Sequence, residues 1–145
     1  MIAVGDNSYI TVEQADEINC NNEHWLNLST VAKEHALIMA TIHIDGLMWT
    51  GWKTNVLQPL AWPRCGRPIP PAILTAQALE AAARANPELT ARMDALRLGL
   101  RSVTVGNASE SYGSSAGRGI LGQQVYSEDA LTLLRPYLAE WGAIV

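Results

Sequence analysis

Trp49, Trp52 and Trp62 share one short segment with Lys53, Arg64 and Arg67. An indole offers a broad apolar face and one N–H donor. Beside cations, such rings have two intermolecular uses. They can stack on the bases of a single strand while Lys and Arg meet its phosphates. They can also anchor a protein interface, where Trp and Arg dominate the binding energy. A third use is internal: pinning an irregular loop over the protein's own core. That last use is expected for at least two of the three rings; in the intermolecular reading Lys53, Arg64 and Arg67 lie at the rim of an aromatic contact surface.

No other group of residues suggests chemistry. His24, His35 and His43 are the only histidines. His35 and His43 are about two helical turns apart, too far to share a metal. His35 falls on an apolar stripe and is expected to be a core histidine. Cys20 and Cys65 are expected to be small buried hydrophobes, with no disulfide framework and no zinc spacing. Glu13, Asp16 and Glu17 fit the acidic start of a helix better than an acid/base pair. No nucleophile elbow, phosphate loop or metalloprotease helix occurs. Catalytic residues, metal ligands and cofactors are therefore not expected, and neither is an enzyme.

The elements that must position the Trp segment are mainly helical. Thr11-Val12-Glu13-Gln14 reads as a capping box opening a first helix over 11–21. Asn19, Asn21 and Asn22 end it, and a short turn carries His24, Trp25 and Leu28. Ser29 or Thr30 caps a second helix running to Asp45, with Gly46 as a left-handed stop. Val31, His35, Ile38, Met39 and Ile42 form one stripe of that helix. Leu37, Ala40 and Ile44 make a second side apolar, so the helix is expected to be central. Pro70 and Pro71 lead into an Ala-rich helix over 72–85. Asn86-Pro87-Glu88 caps another, ending near Leu98. Val103-Thr104-Val105 and 108–112 read as a hairpin around Gly106-Asn107. The Gly/Ser-rich loop 113–122 has no periodicity. Ser127 caps a last helix that Pro136 bends or ends. The fold class is thus mainly α: a bundle of four to five helices, a short β-hairpin and an extended C-terminal arm. The division expected is a helical body over 1–138, including the hairpin and loop at about 100–124, and a docking arm over 139–145.

With 145 residues the chain is expected to form one domain plus that arm. Charged residues are only 17% of it, which leaves little polar surface for a solitary copy and suggests an oligomer. The formal charge of −4 and the presence of only two lysines, Lys33 and Lys53, disfavour tight binding to nucleic acid. Passage of DNA through a weakly repelling channel stays compatible with it. Met1–Asp6 does not read as a secretory leader, and no segment has membrane-spanning length. A soluble protein made in the cytoplasm is expected.

In order, Asn7–Ala15, Lys33–Thr41, Trp49–Lys53, Gln58–Arg64, Pro70–Ile73 and Leu134–Leu138 resemble the landmarks of a family of small tailed-phage proteins. That family is often labelled DnaT-like single-stranded DNA-binding protein, and it is similar to head–tail connector adaptors, or head completion proteins. The resemblance implies a structural protein of the virion neck, made in the host bacterial cytoplasm. It would form a ring of about twelve copies under the portal. The ring would join portal to tail or tail-completion protein and pass DNA without reading its sequence. On this reading Leu138, Trp141, Ile144 and Val145 dock on the portal. Trp49, Trp52, Trp62, Arg64, Val103, Val105 and Tyr112 are candidates for subunit or tail contacts. The alternative is a replication accessory protein that binds single-stranded DNA through Trp52, Lys53, Trp62, Arg64 and Arg67.

Overall fold

The computed structural model describes residues 1–97, 102–105, 108–111 and 125–139. The expected mainly helical architecture is what forms. The elements are α1 (Val12–Ile18), α2 (Glu23–Leu26), α3 (Thr30–Asp45), α4 (Pro71–Ala85), α5 (Pro87–Arg97), β1 (Ser102–Val105), β2 (Ala108–Ser111) and α6 (Glu128–Leu134). A 3-10 turn, Arg135–Tyr137, follows α6 and carries Pro136. The two strands pair antiparallel, with Val105 opposite Ala108.

Local chemistry starts each helix. The Thr11 hydroxyl accepts from the Gln14 N–H and the Gln14 side chain accepts from the Thr11 N–H, a reciprocal capping box. The side chains of Asn22, Ser29 and Ser127 accept from the N–H groups of Trp25, Ala32 and Ala130 and so cap α2, α3 and α6. Asn86 accepts from the Glu88 and Leu89 N–H groups at the start of α5. Gly46 departs from expectation: its φ is −75°, so α3 ends without a left-handed residue.

The core is α3 against α4, closed by α1 and α6. The face that α3 buries is Ala36, Leu37, Ala40, Thr41 and Ile44, with Lys33 at one end. The stripe Val31, His35, Ile42 faces outward instead, with Val31 78% and Ile42 56% exposed. His35 is thus a surface histidine, not a core one. The cause lies in α4, whose buried face includes Ala76, Ala78, Ala81 and Ala82. A surface of methyl groups lets a neighbouring helix approach closely, and the small residues of α3 match it.

Buried polar side chains fix the irregular segments to this pair of helices. Gln77 of α4 accepts from the Tyr9 N–H at 2.9 Å and donates to Ser8 Oγ at 2.8 Å and the Leu37 carbonyl at 3.1 Å. Fully buried Glu80 accepts from the N–H groups of Tyr126 and Ser127 at 2.8–3.0 Å and so seats the start of α6. Asn19 donates to the Ala78 carbonyl at 3.0 Å. These bonds satisfy backbone groups that would otherwise be buried without partners.

Candidate functional site

The Trp segment leaves the C-terminal end of α3 and returns at α4. One short antiparallel bridge shapes it: Lys53 lies opposite Arg64, with the Cys65 N–H donating to the Trp52 carbonyl at 3.0 Å and the Thr54 N–H to the Pro63 carbonyl at 3.1 Å. The tip is closed by its own side chains. The Asn55 N–H donates to Gln58 Oε1 at 3.0 Å, and Gln58 Nε2 donates to the Leu60 and Pro63 carbonyls at 2.8 and 2.9 Å. The Trp62–Pro63 peptide bond is cis. Gly51 has φ +73°, and a Cβ there would overlap the Cys65 sulfur. Both cysteines are exposed and free, against the buried positions expected of them. Cys65 is held out on the loop with φ 56°, and Cys20 follows α1 on the surface.

The three rings have different fates. Trp49 and Trp62 are only 8% and 7% exposed. They meet edge to face at 5.4 Å, and Trp62 meets Tyr137 in the same way at 5.7 Å. Both indole N–H groups are buried, and neither finds a hydrogen-bond partner among the described residues. Trp52 is 72% exposed. Val56 and Leu57 at the tip are 83% and 87% exposed.

The cations also divide. Arg64 turns inward: its Nε, Nη1 and Nη2 donate to the carbonyls of Thr50, Ala61 and Gly51 at 2.9, 3.1 and 2.7 Å. The guanidinium fork suits such a multiple bond. Lys53 is half-buried, with Nζ 3.4 Å from the Gln58 carbonyl. Arg67 is exposed.

A buried latch ties the loop to the body. The Tyr9 hydroxyl donates to Asp45 Oδ1 and accepts from the Trp62 N–H at 3.2 Å. Asp45 Oδ2 accepts from the Ala61 N–H at 3.2 Å. Burial raises the Asp45 carboxyl above its ordinary value, against the lowering effect of the Tyr9 and Ala61 hydrogen bonds and of the Lys53 charge. Burial, then the Asp45 hydrogen bond and charge, push the Tyr9 phenol far up.

Of the expected single-strand site, the structure leaves Trp52 and Arg67 on the surface, with Lys53 partly covered. Trp62 and Arg64 are structural, because one is packed against two rings and the other holds three carbonyls. Trp49 is withdrawn from the expected subunit contacts for the same reason. Leu138 is a core residue rather than a free anchor: it is 5% exposed and bridges to Trp49. Val103 and Val105 lie on β1. Tyr112, the 113–122 loop, Trp141, Ile144 and Val145 fall outside the described residues. Among the described residues no group of three His, Cys, Asp or Glu side chains could hold a metal. No helix among them is long and apolar enough to cross a membrane. Sequence reasoning missed Tyr9, Asp45, Gln77 and Glu80. Only Glu80, an acid inside an Ala-rich helix, carried a local signal.

The fold and loop together define a small, mainly helical domain that presents an indole, two aliphatic side chains and an arginine on one closed loop. The chain belongs to the family described as "Putative DnaT-like ssDNA binding protein", whose model matches residues 1–145. No curated protein and no solved structure matches it significantly.

Proposed function

We propose that this chain is a structural connector of a tailed phage, assembling with copies of itself under the portal and joining portal to tail. The observation that carries this reading is the loop tip. Trp52, Val56 and Leu57 are largely exposed on a segment closed by its own hydrogen bonds. A preformed apolar projection of this kind suits a protein partner, because ordering it on binding costs little. The outward stripe of α3 adds further apolar surface, and the charge of −4 keeps a channel from gripping DNA. The test is attachment. Purified protein mixed with isolated portal-bearing heads should bind at the vertex, visible by electron microscopy. Particles that fill and acquire tails without this chain would overturn the reading.

A second reading is single-stranded DNA binding, and the family description supports it more directly than it supports the connector. Trp52 would stack on a base, with Arg67 and Lys53 near the phosphates. The expected signature is quenching of tryptophan fluorescence by an oligonucleotide at low salt, lost in Trp52→Ala and weakened as salt rises. Absence of quenching at low salt removes this reading.

A further inference from the structure

Two features meet at the end of α3. The first is the outward face of that helix. With about 3.6 residues per turn, Val31, His35, Ile38 and Ile42 fall on one line, opposite the buried Ala36, Ala40 and Ile44. Val31, His35 and Ile42 are exposed and Ile38 is half-buried. A helix that is apolar on two sides packs on two sides, yet this stripe is open to water. The second feature is the direction of the chain after α6. Trp49 lies opposite Leu138 in an antiparallel bridge. The Thr50 N–H donates to the Tyr137 carbonyl at 3.0 Å, and the Ala139 N–H donates to the Met48 carbonyl at 2.8 Å. Antiparallel pairing sets the heading: from Tyr137 to Ala139 the chain runs from Thr50 back to Met48. Only Gly46 and Leu47 lie between Met48 and α3. The chain therefore leaves Ala139 pointed at the last turn of α3, where Ile42 stands.

We infer that residues 140–145 fold back along the outer face of α3 in their own subunit and lay Trp141 against Ile42 and Ile38. The segment has the composition for it: Trp141, Ala143, Ile144 and Val145 are apolar, and Glu140 is its one charged residue. In an extended run Trp141, Ala143 and Val145 share one face and Glu140 lies on the other. The reach also fits. Six extended residues span about 20 Å. The stretch of α3 from Ile42 back to His35 is about 10 Å long, which leaves the rest for the approach from Met48. The same subunit is favoured over a second copy because Ala139 is already tied beside α3. A short tether of this kind gives the segment a local concentration on the order of millimolar. An indole laid on two isoleucines removes a large apolar area from water on both sides. The chain thus covers its own stripe, and a protein partner that binds there must first displace Trp141. The contact stands on this geometry whichever partner the Trp52 loop takes.

Methyl NMR on the full chain, labelled at isoleucine methyl groups, tests the contact. Nuclear Overhauser effects should join the Trp141 ring to the Ile42 and Ile38 methyls. Trp141→Ala should abolish them and shift both methyl signals, while the core methyls of Ile10 and Ile73 stay in place. The reverse variant is Ile42→Gln, a polar helix former at an exposed site, so the fold is kept. It should speed amide hydrogen exchange over residues 142–145 by about tenfold. Ile38 and Ile42 signals indifferent to Trp141→Ala would overturn the contact, and so would exchange over 142–145 indifferent to Ile42→Gln. A mixture of labelled and unlabelled copies separates one subunit from two. Overhauser effects that pass only between differently labelled copies would place the segment on a neighbour's α3 and overturn the contact within the subunit.

Discussion

The Tyr9 hydroxyl donates to the Asp45 carboxylate and so joins the segment before α1 to the last turn of α3. The same hydroxyl receives the Trp62 N–H, and the same carboxylate receives that of Ala61. Three stretches distant in sequence therefore depend on one phenol–carboxylate pair. Removing the hydroxyl in Tyr9→Phe leaves a buried acceptor and a buried donor unpaired. The expected cost is about 1–3 kcal/mol, read from urea unfolding.

The pH dependence of this pair follows from its burial. Asp45 is raised above the ordinary 3.8 in the folded protein. Between that value and the folded one, the folded state holds a proton that the unfolded state has released. Its contribution to stability is therefore greatest in acid and falls as pH rises through the folded value. The stability difference between wild type and Asp45→Asn should shrink steadily as pH is raised through this window. A difference independent of pH would refute the assignment.

Glu80 makes a third prediction. Its carboxylate accepts from two consecutive N–H groups, those of Tyr126 and Ser127. Glu80→Gln keeps the size but turns an NH₂ toward donors. A loss of about 2–3 kcal/mol is expected. Hydrogen exchange should quicken at the Tyr126 and Ser127 amides before it does in α3 or α4.

The tryptophans should separate cleanly in stability. Trp62→Ala empties a packed site between Trp49 and Tyr137 and should cost about 3–5 kcal/mol. Trp52→Ala removes an exposed ring and should stay within about 0.5 kcal/mol of wild type. Acrylamide quenching should fall most in the Trp52 variant.

Gly51 and Cys65 should couple. Gly51→Ala places a methyl group against the Cys65 sulfur at a backbone angle that disfavours side chains. A loss above about 1 kcal/mol is expected. Adding Cys65→Gly removes the sulfur at a residue whose own φ is positive, so the double variant should recover part of the loss. Additive losses in a double-mutant cycle would exclude the contact.

The helix starts were legible because each is written within four residues. The caps Thr11, Ser29, Asn86 and Ser127 need only their own neighbours. The outward face of α3 was not legible. Periodicity groups Val31, His35 and Ile42 on one side, but it does not say which side a partner covers when both are apolar. That choice was made by α4, about thirty residues downstream, through its methyl surface. Arg64 was misread as a rim cation for a similar reason. Its three carbonyl partners come from the chain's own turns, and no spacing rule encodes where those turns point. The mainly helical class survived because it depends on sums of local preference. The site was legible only in part: Trp52 and Arg67 stay on the surface, whereas the core withdraws Trp49 and Trp62 and the loop's own carbonyls hold Arg64.

The chain's last described residues are fastened to the loop rather than to a helix. The Ala139 N–H donates to the Met48 carbonyl at 2.8 Å, Thr50 holds the Tyr137 carbonyl, and Leu138 bridges to Trp49. The strip Met48–Thr50 and the stretch Tyr137–Ala139 therefore hold each other in place, and displacing either one breaks the hydrogen bonds of both.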